Sequence, residues 1–275
     1  DKNKISFFSF LLLPISLLIK ILNFFRRLVI KTKNSSIPII CVGNIYLGGT
    51  GKTPLCIKIF SILKEMNMNP AIIRKKYNDF EDEADLQKKI APVYQNRNRF
   101  LAIENAKKNK INVAILDDGF QDISIKKDLS IVCFNEKQWI GNGLMIPAGP
   151  LREGLSSLKR ADCVFINGSR NISIEKKILE KNEKIKFFYT TIKAQNIDEF
   201  KNKNVVAFAG IGNPQKFFDT LKENNINEIK EIKYPDHHKY SNKELENLIQ
   251  EKKKNNAILI TTEKVYLRIK ENIKK

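Results

Sequence analysis

The stretch VGNIYLGGTGKTPL, residues 42–55, ends in a run of residues that can grip a phosphate. Gly48, Gly49 and Gly51, with Thr50 among them, let backbone N–H groups turn inward around an anion. Lys52 adds a positive charge suited to the β- and γ-phosphates of a nucleotide, and Thr53 adds a hydroxyl for Mg2+. The general pattern G-x-x-x-x-G-K-[ST] asks for glycine where this chain has Tyr46. The segment is therefore either a nucleotide grip with an unusual entry or a glycine turn of similar composition. Gly43 and the Gly48–Gly49 pair offer flexibility for the first reading.

A Mg2+-dependent phosphate loop also needs a carboxylate at the end of a neighbouring strand. Val113-Ala-Ile-Leu supplies an apolar run that ends on Asp117 and Asp118, followed by Gly119. Further on, GNGLMIPAGPLRE (141–153) is bent by prolines and glycines and delivers Arg152 and Glu153 to the start of a helix. An arginine there suits the charge of a transferring phosphoryl group; alone, the segment reads rather as a loop-to-helix cap with a surface ion pair. His237 and His238 follow Tyr234-Pro-Asp236 in a turn, where a histidine beside an acid can relay a proton, although turn histidines are usually inert.

The elements that must position these residues follow from the apolar pattern. A short buried strand, Ile37–Val42, feeds the glycine loop, and Pro54–Met66 has helical spacing at Leu55, Ile59, Ile62 and Leu63. Strand, loop, helix is the context a phosphate loop requires. Further strands are predicted at Pro70–Ile73, Val113–Leu116, Leu129–Phe134 and Cys163–Ile166, separated by helical or loop segments. This alternation predicts an α/β fold, a P-loop NTPase-like, mainly parallel sheet covered on both faces. After the polar stretch 194–204, strands at Val205–Ala209 and Ala257–Ile260 and helices at Pro214–Asn224 and Ser241–Lys253 predict a second, smaller α/β domain. The expected division is 1–34 as a membrane-associating helix with a basic collar, 35–193 as the P-loop domain and 194–275 as the smaller domain.

The chain's 275 residues carry 49 Lys and Arg against 30 Asp and Glu, a net charge of +19 that suits anionic partners. Its four cysteines are widely spaced, mostly in apolar runs, and the only histidines are the adjacent pair, so buried free thiols in a reducing compartment are expected rather than a zinc site. Ile5–Ile19 is uncharged and rich in Leu, Ile and Phe. As a helix it reaches roughly 22 Å, short of a hydrocarbon core of roughly 30 Å. Arg26, Arg27, Lys31 and Lys33 follow as a collar for anionic headgroups. An interfacial or shallowly inserted anchor is expected, in preference to a core helix or a cleaved signal peptide. The first residue is Asp, so the natural start is expected upstream.

In that order, VGNIYLGGTGKTP (42–54), DDGFQD (117–122), GNGLMIPAGPLRE (141–153), AGIGNP (209–214), YPDHHKY (234–240) and TTEK (261–264) resemble the tetraacyldisaccharide 4′-kinases. That family's own loop is similar to GGTGKT and has no glycine at the Tyr46 position. The resemblance covers most of the chain. It implies an ATP- and Mg2+-dependent kinase acting on the 4′-hydroxyl of tetraacyldisaccharide 1-phosphate in lipid A biosynthesis. Its implied partners are this acylated glucosamine disaccharide and an anionic membrane surface, with neither nucleic acid nor protein, and its place is the cytoplasmic face of the bacterial inner membrane. It also implies phosphate and metal contacts from Lys52 and Thr53, Mg2+ near Asp117 and Asp118, and Gln121, Arg152 and Glu153 around the reacting groups.

The family's base is an aspartate in a Gly-Asp-Glu-Pro motif, supported by a histidine from the second domain. Glu81-Asp-Glu-Ala84 is the nearest match and nominates Asp82, with His237 as its partner. The chain departs from the family at Ile73-Arg-Lys-Lys-Tyr77, where Ser-Arg-Gly-Tyr-Gly is usual, at Asp122 in place of histidine, and at Val265 after TEK. Two other readings start from the residues alone. One is a membrane-associated P-loop ATPase or GTPase switch. The other is a nucleic-acid-dependent ATPase, which the dispersed basic residues do not favour.

Overall fold

A computed structural model describes residues 6–76, 82–191, 193–194 and 196–273, without the side chains of 82, 83 and 270–273. The chain divides into two compact units, Asp1–Asp79 with Gln87–Ile192, and Phe80–Leu86 with Lys193–Lys275. In chain order the elements up to residue 190 are α1 (Phe7–Leu11), α2 (Leu13–Val29), β1 (Ile39–Gly43), α3 (Lys52–Glu65), β2 (Pro70–Lys75), α4 (Asp82–Lys88), β3 (Val93–Asn96), α5 (Arg99–Lys108), β4 (Val113–Asp117), β5 (Leu129–Asn135), β6 (Cys163–Asn167), α6 (Ile172–Leu179) and β7 (Lys186–Thr190). They are followed by β8 (Asn204–Ala209), α7 (Pro214–Glu223), β9 (Asn227–Lys233), α8 (Asn242–Lys254), β10 (Ile258–Ile260) and α9 (Glu263–Ile273).

Among the described residues, seven strands form one sheet in the order β3-β2-β4-β1-β5-β6-β7. Its ladders are parallel. β4 is buried at every position because both faces of the sheet are covered, which is why it reads as an unbroken apolar run. Alternate residues of β1 serve the two cores. Cys41 packs with Ile73, Leu116 and Phe134 on one side, and Val42 with Cys56, Phe60 and Ile115 on the other. All four cysteines are buried free thiols. The chain leaves β1 toward β2 on one side and reaches β5 on the other, so the glycine loop sits where the strand order reverses, the usual ligand position of such sheets.

The second unit has a three-stranded parallel sheet, β10-β8-β9. One cluster joins β8 to Phe218 and Leu221 of α7, and another joins Phe208 to Leu248 of α8 and Val265 and Ile269 of α9.

At the N-terminus the single apolar segment expected from sequence is broken at Leu12 into α1 and α2. Its covered stripe runs through Ser9, Leu12, Leu13, Ser16, Ile19 and Asn23, a helical spacing rich in small and polar residues. Most of the large apolar residues face outward, with Phe7 78%, Phe8 73%, Leu22 59% and Leu28 69% exposed. This inverts the usual pattern, in which the apolar stripe faces the protein. Among the described residues no helix is long and apolar enough to cross a membrane. The basic collar is divided. Arg26 and Arg27 lie in the last turn of α2, Arg27 pairs with Glu153, and Lys33 lies over the Phe100 ring. Two of the residues expected to face headgroups therefore make contacts within the protein.

Candidate active site

β1 ends at Gly43, and the position has room only for glycine: an added Cβ would lie 2.5 Å from the Phe120 Cβ. That close approach brings the Asp117–Asp122 turn against the start of the glycine loop. Tyr46, where the general pattern has glycine, is fully buried, and its hydroxyl accepts the Asn135 N–H at 2.6 Å. The loop thus plunges into the core at this position before turning, and a large anchored side chain replaces a flexible residue. Gly51 then adopts φ 86°, in the left-handed region, and opens α3 with Lys52 as its first residue. The free N–H groups of the helix's first turn attract anions.

The 141–153 segment is laced to this loop. The Arg152 N–H donates to the Ile45 carbonyl at 2.8 Å, and the Leu47 N–H donates to the Pro150 carbonyl at 2.8 Å. The lacing delivers Arg152 to Asp118, where its Nη1 lies 2.9 Å from both carboxylate oxygens. Lys52 Nζ lies 3.7 Å from Oδ1 of the same carboxylate. Gln121 donates through Nε2 to the Asn44 carbonyl at 2.7 Å, and its Oε1 accepts from Arg152 at 3.4 Å. Burial pushes the Asp118 pKa up, but Lys52 and Arg152, with Arg99 behind them, bring it below its ordinary value. The site therefore gathers a lysine, an arginine and an ionised aspartate at the mouth of a phosphate loop, an arrangement that can bind and neutralise phosphate.

Asp117 is more deeply placed, 3% exposed, and takes Arg74 Nη1 and Gln87 Nε2, each at 3.0 Å, on its Oδ2. Register pairs it with Val42 of β1, so it stands at the strand edge beside the loop. Glu153 is buried between Arg160 and Arg27 of α2, the latter at 3.0 Å, so that it is tied to α2. His238 Nε2 is 2.9 Å from Glu244 Oε1 and stacks on Tyr234. His237 has φ 56°, with its backbone N–H on Asp236 Oδ1 at 2.9 Å. The backbone of Asp82 opens α4, while its side chain, like all of Glu81, lies outside the described residues.

Two participants gave no signal in the sequence. Arg99 donates to the Asp118 carbonyl at 2.7 Å and to Asp122 Oδ2 at 3.2 Å, and Gln87 holds Asp117. Each sits in a polar, charge-rich stretch that reads as solvated surface. Arg74, the one residue that Ile73-Arg-Lys-Lys-Tyr77 shares in place with Ser-Arg-Gly-Tyr-Gly, also holds Asp117.

The sequence model of one family, described as Tetraacyldisaccharide-1-P 4'-kinase, matches residues 8–275. The chain belongs to this family. A Tetraacyldisaccharide 4'-kinase of Pelagibacter ubique (strain HTCC1062) is 45% identical over 278 residues, covering 100% of this chain and 88% of the relative. One of Rickettsia bellii (strain OSU 85-389) is 35% identical, covering 95% of this chain and 86% of the relative. Among solved structures, LpxK from Aquifex aeolicus in complex with ATP superposes with a TM-score of 0.70 at 26% identity, covering 94% of this chain and 89% of that chain.

Membership in the tetraacyldisaccharide-1-P 4'-kinase family makes the fit of a divalent metal a direct question. The Thr53 hydroxyl and the carboxylates of Asp117 and Asp118 are hard oxygen donors, the set that Mg2+ prefers. The Thr50 hydroxyl, 3% exposed, and the Asn44 amide have no hydrogen-bond partner among the described residues, so polar atoms remain to be satisfied within the loop itself. The residues present fit the group.

Proposed function

We propose that this chain transfers the γ-phosphate of ATP to the 4′-hydroxyl of a tetraacyldisaccharide 1-phosphate, the lipid A precursor. The observation that carries the reading is the Asp118 carboxylate held between Lys52 and Arg152 at the mouth of the glycine loop. ATP phosphates are gripped by the backbone of Gly48, Gly49, Thr50 and Gly51 and by Lys52, with Gln121 beside them. Thr53, Asp117 and Asp118 would hold Mg2+, which when bound would supply charge neutralisation on the phosphates. Arg152 offers its guanidinium to the oxygens of the transferring group, where charge accumulates. Asp82 accepts the proton of the 4′-hydroxyl, with His237 as its partner, so that the alkoxide forms only as the new P–O bond is made.

The acceptor is a membrane lipid, so the enzyme must dock where it lies. The outward Phe and Leu residues of α1 and α2 enter the interfacial layer of an anionic leaflet, while Ser9, Ser16 and Asn23 stay against the protein. In this reading the enzyme works peripherally on the cytoplasmic face of the inner membrane, where ATP is available. The +19 charge adds attraction to the surface and to the 1-phosphate of the acceptor.

The position of the new phosphate tests this reading. Product formed from the tetraacyldisaccharide 1-phosphate should show a second phosphorus signal correlated with the 4′ proton in two-dimensional ³¹P–¹H NMR. ATP hydrolysis without a second ester phosphorus would reject it in favour of a switch.

A further inference from the structure

Gln87 is a fully buried glutamine in the last turn of α4. Its Nε2 donates to Asp117 Oδ2 at 3.0 Å, and its Oε1 accepts from Arg74 Nη1 at 3.0 Å. Arg74 Nη1 also lies 3.0 Å from Asp117 Oδ2. The orientation of the amide follows from chemistry, because arginine can only donate and an ionised carboxylate can only accept. Rotating the amide by half a turn would set donor against donor and acceptor against acceptor. Gln87 thus closes a three-membered ring of hydrogen bonds with Arg74 and Asp117.

Two donors converging on one oxygen fix the rotation of the Asp117 carboxylate. Arg74 alone could follow that group through several positions, because its side chain is long. The short fixed arc of a buried amide cannot. Gln87 is held in turn by its helix end, where its carbonyl accepts the N–H groups of Ile90 at 3.0 Å and Ala91 at 2.8 Å.

We propose that Gln87 is a positioning residue that fixes the Asp117 carboxylate for the divalent metal. The inference rests on the kinase reading above, in which Asp117 stands at the metal. It concerns a residue outside every motif that carries the family resemblance, contributed by an element other than the two that build the phosphate loop and the aspartate turn.

The test is Mn2+ binding to the full chain in the presence of a non-hydrolysable ATP analogue, followed by electron paramagnetic resonance. Gln87→Met, close in length but without hydrogen bonds, is expected to weaken Mn2+ at least about 10-fold, the usual effect of losing a partner that orients a metal ligand. Nucleotide affinity in excess chelator should change less than about 2-fold, since no phosphate contact is removed. In turnover, kcat should fall with the KM for the lipid acceptor unchanged. Gln87→Asn, which keeps the amide but is too short to span both partners, gives a second, milder case should the methionine variant fold poorly. Wild-type Mn2+ affinity in either folded variant overturns the role of Gln87. Failure of the wild type itself to bind Mn2+ with the nucleotide analogue would instead overturn the reading of the site.

Discussion

Arg152 grips Asp118 with one nitrogen 2.9 Å from both carboxylate oxygens, and it is held there by backbone hydrogen bonds to the glycine loop. The guanidinium is thus stationed beside the phosphate grip before any substrate arrives. Arg152→Ala should lower kcat by about 10²-fold or more, the range for losing one donor to a developing negative charge. Arg152→Lys should recover only part of this, since an ammonium cannot reproduce the planar fork. Steady-state kinetics with both substrates varied checks it, and a change confined to KM would contradict it.

Asp118 sets a pH dependence with a definite sign. Burial raises its pKa and the cations Lys52 and Arg152 more than reverse this, leaving it below the ordinary 3.8. A depressed carboxylate contributes stability that is present above its unfolded pKa and is lost as pH falls through the folded one. The stability gap between wild type and Asp118→Asn should therefore be flat near neutrality and close below about pH 4. Thermal unfolding measured across pH follows it.

Glu153 joins the N-terminal helix to the loop that carries Arg152, because Arg27 and Arg160 share its buried carboxylate. Glu153→Gln should cost about 1.5–3 kcal/mol, the range for hydrogen bonds to a charged group. For a chain of this size each kcal/mol corresponds to about 2–4 °C in the unfolding midpoint. Calorimetry of this variant beside Ser16→Ala is informative, since Ser16 ties the same helix to the carbonyl of Met145 at 2.9 Å.

The outward face of α2 should be dispensable for folding and required for docking. Leu18→Asp with Leu22→Asp should leave the melting temperature nearly unchanged, since these residues are 56% and 59% exposed. Co-sedimentation with phosphatidylglycerol vesicles should be lost in the double variant. Wild type should bind less tightly as salt rises, because part of the attraction is electrostatic.

The sheet and the glycine loop were legible because both obey strong local rules. β1, β4, β5 and β6 are apolar runs, as central parallel strands must be, and the run GGTGKT has few other uses. β3, β7 and β9 were not legible. Val93–Asn96 is short and half polar, and Asn227–Lys233 is an edge strand whose Glu and Lys residues mimic a solvated helix. At the site, the residues proposed to meet phosphate lie in compact motifs. Gln87 and Arg99 act through contacts made only after the chain has folded, so nothing in their neighbours announces them. Tyr46 is the reverse case: the sequence showed the departure, and the hydrogen bond to Asn135 supplies its reason.

The kinase reading is tested most directly by transfer of label from γ-labelled ATP to tetraacyldisaccharide 1-phosphate in mixed micelles with Mg2+, with wild type run beside Lys52→Ala and Asp82→Ala. Labelled lipid from the wild type, lost in both variants, is the expected result and supports Asp82 as the base. Loss in Lys52→Ala alone would keep the kinase and move the base elsewhere. No labelled lipid from the wild type, with ATP still consumed, would contradict the kinase reading outright.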